Sequence, residues 1–253
     1  MTTSVPKRET PTRLTLAWGV HLLTASGAVV GALALIAILE GSFTLAGILM
    51  MLGLGIDSID GTLARRARVE QLIPRVDGRR LDDIVDFLNF VIVPVVFMVA
   101  SGHLSSSAWA VAPILASAYG FSQHDSKTED HFFLGWPSYW NVVALYLWLL
   151  DLTPGAGTLW VVGFSIAIFV PITYVYPSQL RVLRRTTNLA GLAWGLLLTA
   201  TILFPIWANE TGATRISLIY PAYYLALSFW LGNLRTMIRT TLRPDRNRST
   251  DSR

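Results

Sequence analysis

A chain of 253 residues that is 53% hydrophobic and only 14% charged, with a mean hydropathy of +0.50, has the composition of a membrane protein rather than of a soluble globule. Cysteine is absent, which excludes disulfides, thiol chemistry and cysteine-ligated zinc. The formal charge of +4 would suit nucleic acid, but the basic residues stand at the ends of apolar segments rather than in one patch, so lipid and not nucleic acid is the expected partner.

Residues 1–13 are polar and contain prolines, and they lack the basic stub, short apolar stretch and small-residue cleavage site of a signal peptide. They are expected to form a cytoplasmic N-terminal segment. Apolar stretches follow at 14–39, 42–64, 82–101, 105–121, 136–151, 156–176, 188–206 and 216–235. The fold class this predicts is an all-α polytopic membrane bundle of about eight transmembrane helices over residues 14–235, then a basic, disordered cytoplasmic tail over 236–253. With eight spans and the N-terminus inside, nineteen of the twenty Lys and Arg residues fall on the cytoplasmic side and only Arg215 falls outside. That asymmetry sets the orientation and supports an even count, although a tilted or interfacial 136–151 would leave seven spans.

The second and third stretches meet in IDSIDGTLARRARVEQLIPRVDGRRLDDIVDF, residues 56–87. Asp57 and Asp60 are three apart and Asp82 and Asp86 four apart, so each pair shares a helix face. Antiparallel neighbours joined on the cytoplasmic side would bring both pairs to one depth. Asp83 turns away by about 100° and is left out of the site. A carboxylate in a membrane helix costs ~3 kcal/mol or more when uncompensated, so converging carboxylates call for a cation. Oxygen ligands without His or Cys favour Mg²⁺ or Mn²⁺, whose shells are commonly completed by substrate phosphate. The bland reading is a set of solvated residues pairing with nearby arginines. Gly61 and Ala64 remove bulk beside the carboxylates, and Arg65 offers a fixed charge for phosphate. Gly61 and Gly78 also suit plain helix packing or a turn.

The pattern Asp57-x2-Asp60-Gly61-x2-Ala64-Arg65, twelve residues, then Gly78-x3-Asp82-x3-Asp86 resembles the signature of the CDP-alcohol phosphotransferases. The spacer at residues 66–77 is longer than is usual there and is similar to that of the bacterial phosphatidylcholine synthase branch of the family. The runs GRRLDDIVDFLNFVIVP and HDSKTEDHFFLGWPSYWN also resemble that branch. The resemblance implies that Asp57, Asp60, Asp82 and Asp86 hold two ions, Mn²⁺ or Mg²⁺, with Asp86 doubling as general base. It implies that Asp57, Gly61, Ala64, Arg65 and Gly78 line the CDP site. CDP-diacylglycerol and choline are then the implied substrates, at a site on the cytoplasmic face of a bacterial inner membrane, with membrane lipids and a homodimer as further associations.

A choline cation cannot donate hydrogen bonds, so its site should offer aromatic faces with a carboxylate nearby. The cytoplasmic ends of the middle helices supply Tyr119, Phe121, Trp136, Tyr139, Trp140, Tyr174 and Tyr176, beside an acidic loop with Asp125, Glu129 and Asp130. Tyr139, Trp140 and Tyr174 are the expected choline contacts, although any one of these aromatics also fits an interfacial belt. Other readings stay in view. Asp82-Asp83-x2-Asp86 matches the DDxxD of membrane prenyltransferases, but no second acidic motif follows Asp151. A cation transporter would place its acids near mid-membrane. A synthase for phosphatidylserine, phosphatidylglycerophosphate or phosphatidylinositol would share the metal motif.

Overall fold

The computed structural model describes residues 10–123, 132–177, 180 and 182–242 of the chain. Helix α1 (Pro11–Leu39) begins on a proline, whose missing N–H is harmless in a first turn, and is long enough to cross the ~30 Å hydrocarbon core with some tilt. Gly41, with φ of 72°, turns the chain back into α2 (Phe43–Ala67), which packs along α1. Arg68 ends α2 in the left-handed region, with φ of 52°, and the chain folds into the single turn α3 (Val69–Leu72). Asp77 then caps α4 (Gly78–Phe87), its carboxylate accepting from the Arg79 and Arg80 N–H groups at 3.1 Å each. The long spacer read from the sequence is therefore folded: Val69 and Ile73 are buried against Ala17 near the start of α1.

A π turn (Leu88–Ile92) joins α4 to α5 (Val93–Ala100), making Gly78–Ala100 one span. Pro94 lacks the N–H that would reach Phe90 and its ring crowds that carbonyl, and the helix widens just before it. The turn carries the buried Asn89, whose amide donates to the Gly27 and Val85 carbonyls at 2.9 and 3.0 Å. Its Oδ1 sits 2.9 Å from where a Cβ on Gly31 would stand and 3.1 Å from one on Gly53. Only glycine lets α1 and α2 close on that amide, so the first three spans are clasped around one polar side chain.

The chain continues through a 3-10 turn (Ser107–Ala110) into α6 (Val111–Ser122), β1 (Phe132–Leu134), α7 (Trp140–Leu149) and α8 (Pro154–Phe169). Then come β2 (Thr173–Val175), α9 (Arg184–Leu203), the short α10 (Pro205–Thr211) and α11 (Ala213–Ser217), and α12 (Ile219–Leu242), which runs past the expected boundary at 235. Among the described residues, four helices are long and apolar enough to cross a membrane: Pro11–Leu39, Phe43–Ala67, Gly78–Ala100 and Arg184–Leu203. The helices α6, α7 and α8, of 12, 10 and 16 residues, fall short of the ~20 that a perpendicular crossing needs. Local chemistry trims them. Pro137 and Ser138 (φ 56°) delay α7, and Pro171 forces Val170 out of the helical region at ψ of 123°, ending α8.

The all-α expectation needs one amendment. Residues expected to continue as helix to 176 instead form β2, rich in β-branched and aromatic residues, which pairs antiparallel with β1 in the register Phe132↔Val175, Phe133↔Tyr174 and Leu134↔Thr173. This ribbon is docked on α12, because the Val175 N–H is accepted by Ser228 Oγ at 3.1 Å and the Val175 carbonyl accepts from the Tyr224 hydroxyl at 3.1 Å.

The main core gathers Phe97, Met98, Leu145, Val161, Leu198 and Ile202 from α5, α7, α8 and α9. Outside, Leu22, Val29, Leu33 and Ile36 on α1 and Leu189, Leu192 and Leu196 on α9 form exposed apolar stripes at helical spacing. Water would penalise such stripes, whereas lipid is their natural solvent. The chain is a multi-pass, predominantly helical membrane protein. The acidic loop with Asp125, Glu129 and Asp130, together with His124, Lys127 and His131, lies outside the described residues, as do Lys7, Arg8, Arg181 and the tail from Arg243 onward.

Candidate active site

The junction of α2 and α4 is where the sequence motif meets itself. Asp57 on α2 and Asp82 and Asp86 on α4 each offer one carboxylate oxygen, and these atoms lie within 4.8 Å of one another. All three residues are partly buried. Three atoms so spaced share a point no more than about 2.8 Å from each, against the ~2.1 Å of an Mg²⁺–oxygen bond, so closing on an ion requires shifts of well under 1 Å per side chain. The donor set is wholly anionic oxygen, which suits a hard divalent cation. Asp83 is not in the group, in keeping with its direction around α4.

Asp60, expected with the other three, is placed differently. It is 4% exposed, and its Oδ2 accepts a hydrogen bond of 2.8 Å from Thr24 Oγ1 on α1. One helical turn before Thr24, His21 is also buried and packs on the start of α4, its Cε1 standing 3.2 Å from the position of a Cβ on Gly78. Thus α1 forms a wall behind the motif, touching α2 through Thr24 and α4 through His21.

The residues expected to face a nucleotide divide in two. Arg65 is exposed and folds back along α2, its Nη2 donating to Thr62 Oγ1 at 3.1 Å and its Nη1 lying 3.4 Å from the place of a Cβ on Gly61. Gly61 and Arg65 thereby share one open face of the helix. Ala64 is partly buried against the Ala17, Val69 and Ile73 cluster, so its small side chain serves the seating of α3 on α1.

The aromatic residues also divide. Tyr139, just before α7, stands edge-on to Tyr224 with ring centroids 5.9 Å apart, and the Asp57 carboxylate and the Tyr176 hydroxyl both act on its own hydroxyl. Tyr176 in turn lies against Phe133 at 4.8 Å, and Tyr174 acts on Tyr224 from β2. A group of tyrosines therefore borders the acidic cluster through Tyr139. Trp140 is not brought into it. Its side chain is fully buried, its Nε1 donates to Ser117 Oγ at 2.7 Å, and its ring packs on Trp136, which stacks on Phe164. Tyr119 stands against Phe169 and Phe121 against Phe87.

Sequence reasoning passed over His21, Thr24, Asn89 and Tyr224. A signal existed for two of them: His21 and Thr24 are polar residues three apart on a long apolar helix, where a polar side chain needs a partner or a function. Tyr224 carried no such mark, because one more tyrosine in an aromatic-rich helix is unremarkable by composition.

Known proteins resemble the chain along most of its length. The profile of the CDP-alcohol phosphatidyltransferase family matches residues 20–175. The chain is 36% identical to a phosphatidylcholine synthase of Legionella pneumophila over 224 residues, covering 85% of this chain and 88% of that one. It is 34% identical to one of Borreliella burgdorferi over 222 residues, with 86% and 95% covered. Against one of Pseudomonas aeruginosa the identity is 30% over 233 residues, with 87% and 94% covered.

Proposed function

The chain belongs to the CDP-alcohol phosphatidyltransferase family, and from that premise we propose that it transfers the phosphatidyl group of CDP-diacylglycerol to choline, forming phosphatidylcholine and releasing CMP. The observation that carries this reading is the convergence of the Asp57, Asp82 and Asp86 carboxylates within 4.8 Å, bordered by a tyrosine that the Asp57 charge reaches. Support for choline over another alcohol comes from the tyrosine group and from relatives that are phosphatidylcholine synthases along nearly their whole length.

In this reading Asp57, Asp82 and Asp86 hold divalent metal, Mn²⁺ or Mg²⁺, and Asp60 completes the set for two ions. When bound, such ions neutralise the diphosphate and stabilise the departing CMP. The open face of α2 at Gly61 receives the nucleotide, Arg65 pairs with its phosphate, and Gly78, on which His21 packs, bounds the same site at the start of α4. Ala64 supports that face through its packing on α3. Asp86 takes the proton of the choline hydroxyl as its oxygen bonds to the phosphorus of the phosphatidyl group. The bond from that phosphorus to the oxygen bridging to CMP breaks, and CMP leaves with the electron pair. No covalent bond to the protein is needed. Tyr139, Tyr174 and their neighbours hold the quaternary ammonium by their ring faces, while Trp140 contributes by fixing the position of Tyr139 from the core.

The same proposal places both termini and the active site on the cytoplasmic side of a bacterial inner membrane, on the nineteen-to-one division of basic residues. It retains eight crossings, with α6, α7 and α8 crossing as short segments, and a homodimer as the assembly.

The test is the purified chain in detergent with CDP-diacylglycerol and Mn²⁺, offered choline, serine, inositol or glycerol 3-phosphate in turn, with CMP release as the readout. Choline is expected to give the highest rate. A faster rate with any other alcohol would overturn the choline assignment and leave the phosphatidyl transfer standing.

A further inference from the structure

We infer that Thr24, on α1 and outside the aspartate motif, is a positioning residue that sets the orientation of the Asp60 carboxylate for metal. The inference rests on the metal-dependent reading above. Asp60 is buried, at 4% exposure, and Thr24 is itself buried at 8%, so the contact between them is sheltered from competing water. The Thr24 hydroxyl has two acceptors in reach, the Val20 carbonyl at 3.4 Å on its own helix and Asp60 Oδ2 at 2.8 Å. A hydroxyl has one proton, and the shorter contact to a carboxylate is the stronger, so it goes to Asp60.

That bond matters because the terminal torsion of an aspartate is broad and does not choose an orientation by itself. With Oδ2 held by Thr24 and the Gly61 N–H also donating to the carboxylate, the group is fixed in one orientation between α1 and α2. Threonine suits the task, since its β-branch limits the side chain to few rotamers on a helix. His21, on the same face one turn earlier, packs on Gly78 and keeps α1 seated against α4 at that level. The helix that carries no motif residue therefore shapes the site by holding one motif carboxylate directly and seating the other motif helix.

The experiment reads Mn²⁺ affinity of the full-length protein in detergent by titration calorimetry, with no substrate present. Thr24→Val, which keeps the shape and removes the donor, is expected to weaken Mn²⁺ binding by roughly 10- to 100-fold, the usual range for loss of a group that orients a ligand. Thr24→Ser keeps the donor and is expected to stay within about threefold of wild type. In an Asp60→Asn background, Thr24→Val is expected to change the Mn²⁺ Kd by less than about twofold, because the partner it positions is gone. Should Thr24→Val fail to fold, Thr24→Ala against Thr24→Ser gives the same comparison. Equal Kd values for Thr24→Val (or Ala), Thr24→Ser and wild type overturn the positioning role and leave phosphatidyl transfer standing. An equal loss in the Asp60→Asn background overturns it also, since Thr24 would then act elsewhere. No Mn²⁺ binding by the wild type overturns the metal-dependent reading and this inference together.

Discussion

Replacing Tyr139 with leucine tests the proposed choline site apart from the rest of the chemistry. The Tyr139 ring stands 5.9 Å from that of Tyr224, and its hydroxyl feels the Asp57 carboxylate, so it is the aromatic that links the tyrosine group to the acidic cluster. A ring face against a desolvated cation contributes ~2 kcal/mol, which at ~1.4 kcal/mol per tenfold is roughly a thirtyfold rise in choline KM. Loss of the edge-to-face contact with Tyr224 costs a further ~1 kcal/mol of stability, or a drop in melting temperature of ~3 °C. Initial rates of CMP release are measured with choline varied at saturating CDP-diacylglycerol, then with the two reversed. The CDP-diacylglycerol KM is expected to move by less than about twofold, because the proposed nucleotide face lies on α2 around Gly61 and Arg65. Tyr139→Phe keeps the face and loses only the hydroxyl, so its choline KM is expected within about threefold of wild type. An unchanged choline KM in Tyr139→Leu refutes the reasoning outright. A Phe variant as damaged as the Leu variant refutes it in another way, by making the hydroxyl rather than the ring face the contact.

Asp57→Asn, Asp82→Asn and Asp86→Asn are each expected to reduce CMP release to below about a tenth of wild type with far-UV circular dichroism unchanged, whereas Asp83→Asn, outside the carboxylate group, should stay within about threefold. EDTA is expected to abolish activity and Mn²⁺ or Mg²⁺ to restore it, while recovery with Zn²⁺ alone would contradict an all-oxygen site. Gly31→Ala sets a Cβ 2.9 Å from Asn89 Oδ1 and 3.0 Å from Leu88 Cδ2, which should cost ~1–3 kcal/mol and lower the melting temperature. An unaltered melting temperature would show that the clasp around Asn89 yields at no cost. A periplasm-active reporter fused after Arg243 is expected to be silent, and a bright fusion would place the C-terminus outside and break the even-crossing topology.

The membrane setting, the helical class and the aspartate motif were legible in the sequence because each rests on local rules. Composition decides the solvent, and spacings of three and four residues decide which carboxylates share a helix face, whatever the rest of the chain does. Convergence of Asp57 with Asp82 and Asp86 followed, since only a short connection separates their helices. Contacts between distant segments were decided by the tertiary structure alone. Thr24 and Asp60 are 36 residues apart and on different helices, and nothing near Thr24 names its partner. Tyr139 and Trp140 are adjacent and equally aromatic, yet one borders the acidic cluster and the other is sealed in the core, because a half-buried turn sends neighbouring side chains in different directions. The ribbon of β1 and β2 escaped notice for the same reason: short apolar runs fit helix or strand alike until pairing and the docking of Val175 on Ser228 and Tyr224 choose between them. Periodicity fixes which residues share a face of one element, but which faces meet is settled by the packing of elements far apart in the chain, where burial and hydrogen-bond satisfaction must be met at once.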